Sequence, residues 1–385
     1  SHSMMYWRDG KESNTFFGDG GSASSRFRFS GEAKVSPDFA VGFVYEFGAF
    51  DNHLQGMTQN GQYDKGGDDL GGQIHLRDQT VWLKHNTLGR VQLGMGSTAT
   101  DDLILIDLSG AAIATYADPA VYNGSFQPRV NSITLAGKQV LPAGTTFLAG
   151  TWAGLLNQGI SFDTDRRNHV RYDTPTVGGF TASVAAGEDN FWDSALRYAG
   201  EFSGFRLAAG VGYSSDQEFP DKGSFRTGVK NWLGSASVMH VNSGIFVTTA
   251  GGTREIDVNN TLLPKGVSVG LGDPHFWHVS AGISKNWTGW GATVLYGEYH
   301  QAKDMVALNV SVTGLGSLDV SSDASMWGFG VVQHVDAAAM ELFLAYKNYS
   351  ADVSASTNPA IVGVTPIGIG AHDFQAVIGG GRVRF

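Results

Sequence analysis

A chain of 385 residues is long enough for two or three soluble domains, yet its 53 glycines and 11% aromatic residues are spread evenly from end to end, which reads as one domain over 1–385. Charged residues make up only 16%, well below the roughly 25% usual in soluble globular proteins, while apolar residues make up 42% and the mean hydropathy is -0.10. Strands with one apolar face on lipid and one polar face on water produce that balance. The formal charge of -10 and the absence of a Lys- or Arg-rich run exclude a nucleic-acid partner and a polybasic membrane anchor. Zero cysteine excludes a disulfide scaffold and thiolate metal or redox sites.

Residues 1–4, SHSM, read as an expression scar on a chain whose export signal has been removed. From there the dominant signal is period-two alternation in segments of about ten residues. Over Arg26 to Val35 the even positions Arg26, Arg28, Ser30, Glu32 and Lys34 are polar and the odd positions Phe27, Phe29, Gly31, Ala33 and Val35 are apolar or small. Val41, Phe43, Tyr45, Phe47 and Ala49 oppose Gly42, Val44, Glu46 and Gly48, and Met340, Leu342, Leu344 and Tyr346 oppose Glu341, Phe343, Ala345 and Lys347. Strands are expected at 3–9, 24–35, 39–50, 73–85, 89–96, 166–174 and onward to 373–385, about 16 in all. Short turns at Ser36 to Asp38, Pro175 to Gly178, Ser203 to Gly204 and Asp336 to Ala337 alternate with long polar or Gly-rich loops at 51–72, 215–229, 254–273, 302–322 and 351–371. That asymmetry belongs to antiparallel transmembrane barrels. Residues 97–165 lack a clear alternating strand, and a loop that long in one domain is normally functional. The uncharged runs Gln139 to Phe162 and Val353 to Ala371 carry proline, glycine and many polar residues, so neither is a spanning helix.

Four segments carry a resemblance over nearly the whole chain: SRFRFSG (25–31) with the hairpin into GFVYEF, LGRVQLG (88–94), RRNHVRYDTPTVGGF (166–180), and the terminal GRVRF ending in Phe385. They resemble the Gram-negative general-diffusion porins, in particular the alphaproteobacterial kind. The resemblance implies an all-β, 16-stranded transmembrane antiparallel barrel assembled as a homotrimer in outer-membrane lipid and lipopolysaccharide. It further implies passive diffusion of ions and small hydrophilic solutes, no cofactor and no enzymatic activity. It also implies a third loop folded into the lumen, matched best by Ser97 to Arg129. That loop, DDLILIDLSGAAIATYADPAVY at its centre, is apolar between Asp101, Asp102, Asp107 and Asp118, unlike the richly acidic loop of the enteric porins, which weakens the case for a strongly cation-selective eyelet.

A pore needs charges that stabilise a passing solute without holding it. The basic candidates are Arg26, Arg28, Arg167 and Arg171, with His169 between the last two, and the acidic ones are Asp101, Asp102, Asp107 and Asp118 on the loop with Glu46 on the wall. For each, a loop or rim position away from the constriction is the bland alternative. Tyr6, Trp7, Phe43, Tyr45, Trp290, Tyr299, Trp327 and Phe385 suit an interfacial girdle. His275 and His278 are three apart, hence on opposite faces of a strand, which disfavours a shared metal. The acidic pairs at 68–69 and 101–102 lack the ligand ladder of a calcium loop. Two other functions remain open at this stage: a solute-selective channel such as a sugar porin with an aromatic slide, and a barrel enzyme of the lipase or protease type, for which no G-x-S-x-G elbow is present.

Overall fold

The computed structural model describes the chain apart from residues 21, 23–24, 51–53, 61–72, 116, 136–137, 142–149, 157–161, 189, 218–225, 315, 358–366 and 385. The acidic cluster at 66–69 and the terminal Phe385 therefore lie outside the described residues. Its strands are β1 (His2–Arg8), β2 (Ser13–Gly18), β3 (Arg26–Lys34), β4 (Phe39–Phe50), β5 (Gln73–His85), β6 (Gly89–Ser97), β7 (Val130–Leu135) and β8 (Lys138–Leu141). After a five-residue helix, α1 (Trp152–Leu156), follow β9 (Arg166–Asp173), β10 (Phe180–Gly187), β11 (Trp192–Phe202), β12 (Phe205–Asp216), β13 (Arg226–His240), β14 (Ile245–Val258), β15 (Val267–Leu271) and β16 (His275–Lys285). The chain ends with β17 (Thr293–Lys303), β18 (Leu308–Val312), β19 (Gly316–Val335), β20 (Met340–Thr357), β21 (Ile367–Ala371) and β22 (Phe374–Val383).

All belong to one antiparallel sheet of 22 strands, which corrects the expectation of about 16. An unbroken path of pairings runs β2, β1, β22, β20, β19, β17, β16, β14, β13, β12, β11, β10, β9, β6, β5, β4, β3. The other five, β7, β8, β15, β18 and β21, are four to six residues long and extend the sheet from the long loops, β21 pairing with β7 and β15 with β18. Strands so short show too few alternations to stand out in sequence. β2 was missed for the same reason.

Tight turns close one end. Ser203 and Gly204 both take positive φ (49° and 79°), the geometry of a two-residue hairpin whose twist matches its strands. Among the described residues no helix is long and apolar enough to cross a membrane. The run from Gln139 to Phe162 holds the end of β8 and α1, and the run from Val353 to Ala371 the end of β20 and β21.

One face of the sheet carries exposed Phe29, Val41, Leu93, Val211, Trp232, Trp277, Leu295, Trp327, Phe329 and Leu344 at alternate positions. The opposite face differs from place to place. Around β14, β17, β19, β20 and β22 it is apolar too, with Phe246, Val294, Met326, Val332, Phe343, Tyr349 and Phe374 buried in one core beneath residues of the 97–165 segment. Along β3 every residue but Gly31 is exposed, on both faces. Trp7, expected in the girdle, belongs to the buried core: it packs edge-on against Phe126 at 4.9 Å and stacks on Phe374 at 6.1 Å.

Leu344 lies four residues, about 14 Å, along β20 from Met340 at the tight-turn end. Leu344→Arg is expected to lower stability in lipid vesicles by about 2–4 kcal/mol, read by urea unfolding. A change within error would show that this face does not meet lipid.

Candidate functional site: a loop folded on the inner wall

The segment after β6 does not project from the sheet but lies along its second face. Asp193 of β11, wholly buried, gathers both ends of it: Ala99 N (3.1 Å), Thr100 N (2.7 Å), Thr100 Oγ1 (2.8 Å) and Thr164 Oγ1 (2.8 Å) all donate to its carboxylate. An ionised carboxylate has lone pairs for four such donors. Arg171 of β9 adds bonds to the carbonyls of Ser97 (3.1 Å) and Thr98 (2.7 Å).

Beyond this clamp the loop crosses strand after strand. Ser235 Oγ donates to Leu103 O (2.5 Å), Leu108 N donates to Ser237 Oγ (2.9 Å), and Thr248 Oγ1 donates to Asp107 Oδ1 (3.0 Å), covering β13 and β14. Thr115 Oγ1 donates to Glu298 of β17 (3.0 Å), Gly110 O lies 2.8 Å from His334 Nε2 of β19, and Tyr349 OH of β20 donates to Pro119 O (3.0 Å). Arg129 ends the crossing on Asp9 (2.8 Å) and Glu12, in the turn between β1 and β2. Leu103 fits because β12 offers glycine beneath it: a Cβ on Gly210 would stand 2.5 Å from Leu103 Cδ1, and one on Gly212 2.6 Å from Cδ2.

Under the loop lies an ion pair. Glu298, Gly328 and Lys347 are register partners across β17, β19 and β20. With no side chain between them, Lys347 Nζ reaches Glu298 Oε1 at 2.5 Å, both side chains fully buried. A Cβ on Gly328 would come 3.0 Å from Glu298 Oε1. This pair and Asp193 were not among the sequence candidates. The available signal was two opposite charges aligned across a glycine on the strand between them, which is invisible until register is known.

The face of β3 to β6 is left bare by these bonds, and it holds two of the four basic candidates, Arg26 and Arg28. Arg28 Nη2 (2.5 Å), Arg77 Nε (2.9 Å) and Arg26 Nη1 (3.3 Å) converge on the buried Glu46. The grouping of Arg26, Arg28 and Glu46 is as expected, and Arg77 is an addition that a β-bulge opposite Glu46 and Phe47 brings onto this face. Asp101 is buried at the loop's start, 3.8 Å from Arg166 Nη2. Burial first, then the neighbouring charge of Asp102, raises its pKa to about 6. Asp102 is exposed in a left-handed conformation, φ 60°.

The remaining candidates are not brought to that cluster. Asp107 accepts from Ser109 N (2.9 Å) and Thr248, and Asp118 accepts from Ala120 N (3.3 Å) to cap a turn, so both shape the loop. Arg171 holds the loop's root and Asp173 (2.8 Å). Arg167 pairs with Asp216 (3.0 Å) and lies over the Phe191 ring (3.8 Å). His169 is buried, with Nδ1 2.7 Å from Arg167 O. His275 is exposed and His278 buried, on opposite faces as alternation requires.

A continuous antiparallel sheet with one apolar exposed face, a loop laid along the other and a charged stretch of bare wall is the pattern of a membrane β-sheet protein. The chain matches the family model described as Gram-negative porin over residues 5–363. It belongs to that family, and as a porin it is a passive diffusion channel of the outer membrane. Among solved structures it is similar to an anion-selective porin from Comamonas acidovorans (15% identity, TM-score 0.55, covering 100% of this chain and 97% of that one). It is also similar to in-vitro folded OmpT, an outer membrane protein of Vibrio cholerae, in a trimer form (15%, 0.52, 99% and 96%), and to Salmonella typhi OmpF in complex with daunomycin (12%, 0.53, 100% and 96%). At these identities the likeness is one of fold. No curated protein matches the sequence.

Lys347→Met is expected to destabilise the protein by about 3–5 kcal/mol, because it strands a buried carboxylate, whereas the double variant Glu298→Met/Lys347→Met loses less than the single one. A double-mutant cycle by denaturant unfolding checks this, and additive losses would show the pair uncoupled. Asp101 loses its charge as pH falls through about 6. Zero-current potentials recorded from pH 8 to pH 5 should then shift toward anions, and Asp101→Asn should hold the low-pH value throughout.

Proposed function

We propose that the sheet closes between β2 and β3 into a barrel, and that the loop from Ser97 to Arg129 narrows its lumen to an eyelet for ions and small hydrophilic solutes. The observation that carries this reading is the ordered crossing of the inner wall by that loop, from Asp193 on β11 to Asp9 beyond β1. Closure is supported by which edges remain: the path of pairings ends at β2 and at β3, neighbours in sequence. Asp19 ties the link between them, accepting from Ser25 N at 3.1 Å and Gly20 N at 3.0 Å. A closed barrel is also the one sheet that leaves no unpaired edge in lipid.

In this reading Arg26, Arg28 and Glu46 on the wall, and Asp101 and Asp102 on the loop, flank the eyelet. Asp107, Asp118, Arg167, His169 and Arg171 hold its frame. A general pore is favoured over a sugar-selective one because Trp7, Phe16, Phe126, Tyr349 and Phe374 are buried under the loop, where they offer no slide to a solute. The Ser, His and Asp side chains that a barrel hydrolase would need serve here to fasten the loop, as Ser235, His334 and Asp193 do. The chain acts as one domain, assembles as a homotrimer and sits in outer-membrane lipid with lipopolysaccharide; the trimer form of the Vibrio cholerae structure supports the assembly.

Reconstituted in a planar bilayer, the protein should give ohmic steps in groups of three, and Asp193→Ala, which unfastens the loop, should change the step size while heat-modifiable folding persists. Folded protein that conducts nothing would overturn the channel reading.

A further inference from the structure

Beneath the loop, one row of the wall holds two histidines side by side. His278 of β16 and His300 of β17 are register partners, 2% and 1% exposed, with ring centroids 5.8 Å apart. Residues directly opposite on antiparallel strands share a face, so this pair meets the condition that His275 and His278 fail. Three of the four ring nitrogens, His278 Nδ1 and both of His300, make no hydrogen bond with any described residue. The Leu156 backbone lies beside His300 without completing one, and Phe276 stacks on that ring at 5.5 Å and holds its plane. Buried polar groups left idle in this way call for a partner from outside the chain. His278 also borders a cavity of about 20 Å³ between loop and wall, whose polar lining includes Asp107, Thr115, Thr248 and Ser280. That is room for one water or one ion.

We infer that His278 and His300 clasp one soft monovalent cation, Cu(I) or its redox-inert analogue Ag(I), between their rings. A metal about 2.1 Å from one nitrogen of each ring stands about 3.2 Å from each centroid, which sets the centroids about 5.2 Å apart at a tetrahedral angle and about 6.4 Å apart in a linear arrangement. The observed 5.8 Å falls between these limits. Ligand count and charge select the ion. Among the described residues no group of three His, Asp or Glu side chains gathers as metal ligands, which excludes a closed four-ligand zinc site and leaves a cation content with two imidazoles. Imidazole and thioether are donors that copper accepts, and the wholly buried Met326 on β19 follows in the same row as the partner of His300. Glu298 and Lys347, one row away, cancel each other at 2.5 Å, so the acid left at the cavity is Asp107, which has no ion pair among the described residues. One positive charge balances it. A dication would leave a charge uncompensated in a dry seam, where an unpaired charge is costly. The bound ion staples β16 to β17 under the loop, a role separate from conduction.

The test is refolding of the full chain from urea into detergent micelles, in chloride-free buffer with silver nitrate or with Cu(I) held reduced by ascorbate, so that the ion enters before the loop closes over the wall. After exhaustive dialysis, metal analysis should find a single ion per chain, and the urea midpoint of the loaded protein should lie above that of the metal-free protein. X-ray absorption on the Cu(I)-loaded native chain should show imidazole nitrogen ligands, a signature that decides even where a variant fails to refold. In the double variant His278→Leu/His300→Phe, whose apolar side chains suit the buried seam and whose folding is read by heat-modifiable mobility, both the ion and the midpoint shift should be lost. His2→Ala and His275→Gln, which change exposed histidines, should leave the ion content as it was. An ion ligated by sulfur alone, an ion retained in the folded double variant, or no ion in the native chain would overturn the site and leave the two rings to water. Zn(II) held by the same pair as firmly as Cu(I) would overturn the choice of a monovalent ion.

Discussion

A loop of more than thirty residues laid along a sheet face must satisfy its own backbone and side chains without the help of a neighbouring strand. Asp193 solves the first part of that problem, because a single buried carboxylate takes donors from the loop's first root, Ala99 and Thr100, and from Thr164 just before β9, while Arg129 fastens the far end on Asp9. Its cost of burial is met by four hydrogen bonds, which is the condition under which a buried charge stabilises at all. With both roots fixed, the rest of the loop has a short list of places to go. The serines and threonines of β13 and β14 then fix where it goes.

The same constraint explains why the inner face is two-sided in character. Where the loop lies, much of the wall is apolar or small, as at Gly210, Gly212, Val294 and Phe343, and its charged exceptions Glu298 and Lys347 pair with each other. Glu298 and Lys347 are tolerated there because Gly328 lets them touch and Thr115 takes a remaining lone pair. An unpaired member would be among the most destabilising features the chain could carry. Where the loop is absent, on β3 to β6, the wall keeps the guanidinium groups of Arg26 and Arg28 partly in water. Charge on one side and a dry seam on the other thus follow from where one loop is fastened.

Much of the architecture was legible in sequence. Alternation at 39–50 and 73–85 marks β4 and β5 to the residue, and the porin resemblance rests on motifs at β3, β6 and β9 that the structure places side by side or nearly so. The strand total was not legible, because β15, β18 and β21 alternate over only five residues each and β2 is a six-residue piece. The site was legible only in part. Arg26, Arg28 and Glu46 face one another because they sit at matching phase on adjacent strands, and phase can be read from one sequence. Arg77 joins them through a bulge, and Asp193, Glu298 and Lys347 acquire their roles from register with distant strands; neither bulge nor register is written in local pattern. Asp107 and Asp118 drew notice as charges, yet Asx-type bonds to Ser109 and Ala120 consume them locally.

At 12–15% identity to porins of the same fold, little of this chain's lumen can be inferred from theirs. A barrel scaffold needs only alternation, tight turns at one end and a paired edge, and very different sequences meet those demands. Selectivity depends instead on a few charges within a screening length of the solute path. In the reading proposed above, those charges sit on two supports with separate constraints: the wall, where strand phase fixes them, and the loop root, where burial tunes Asp101. Exchanging a wall arginine leaves the dry seam intact, because Glu298, Lys347 and Asp193 lie elsewhere. The residues that fasten the loop, Asp193, Glu298 and Lys347, thus lie apart from the charged cluster of Arg26, Arg28 and Glu46 on the wall.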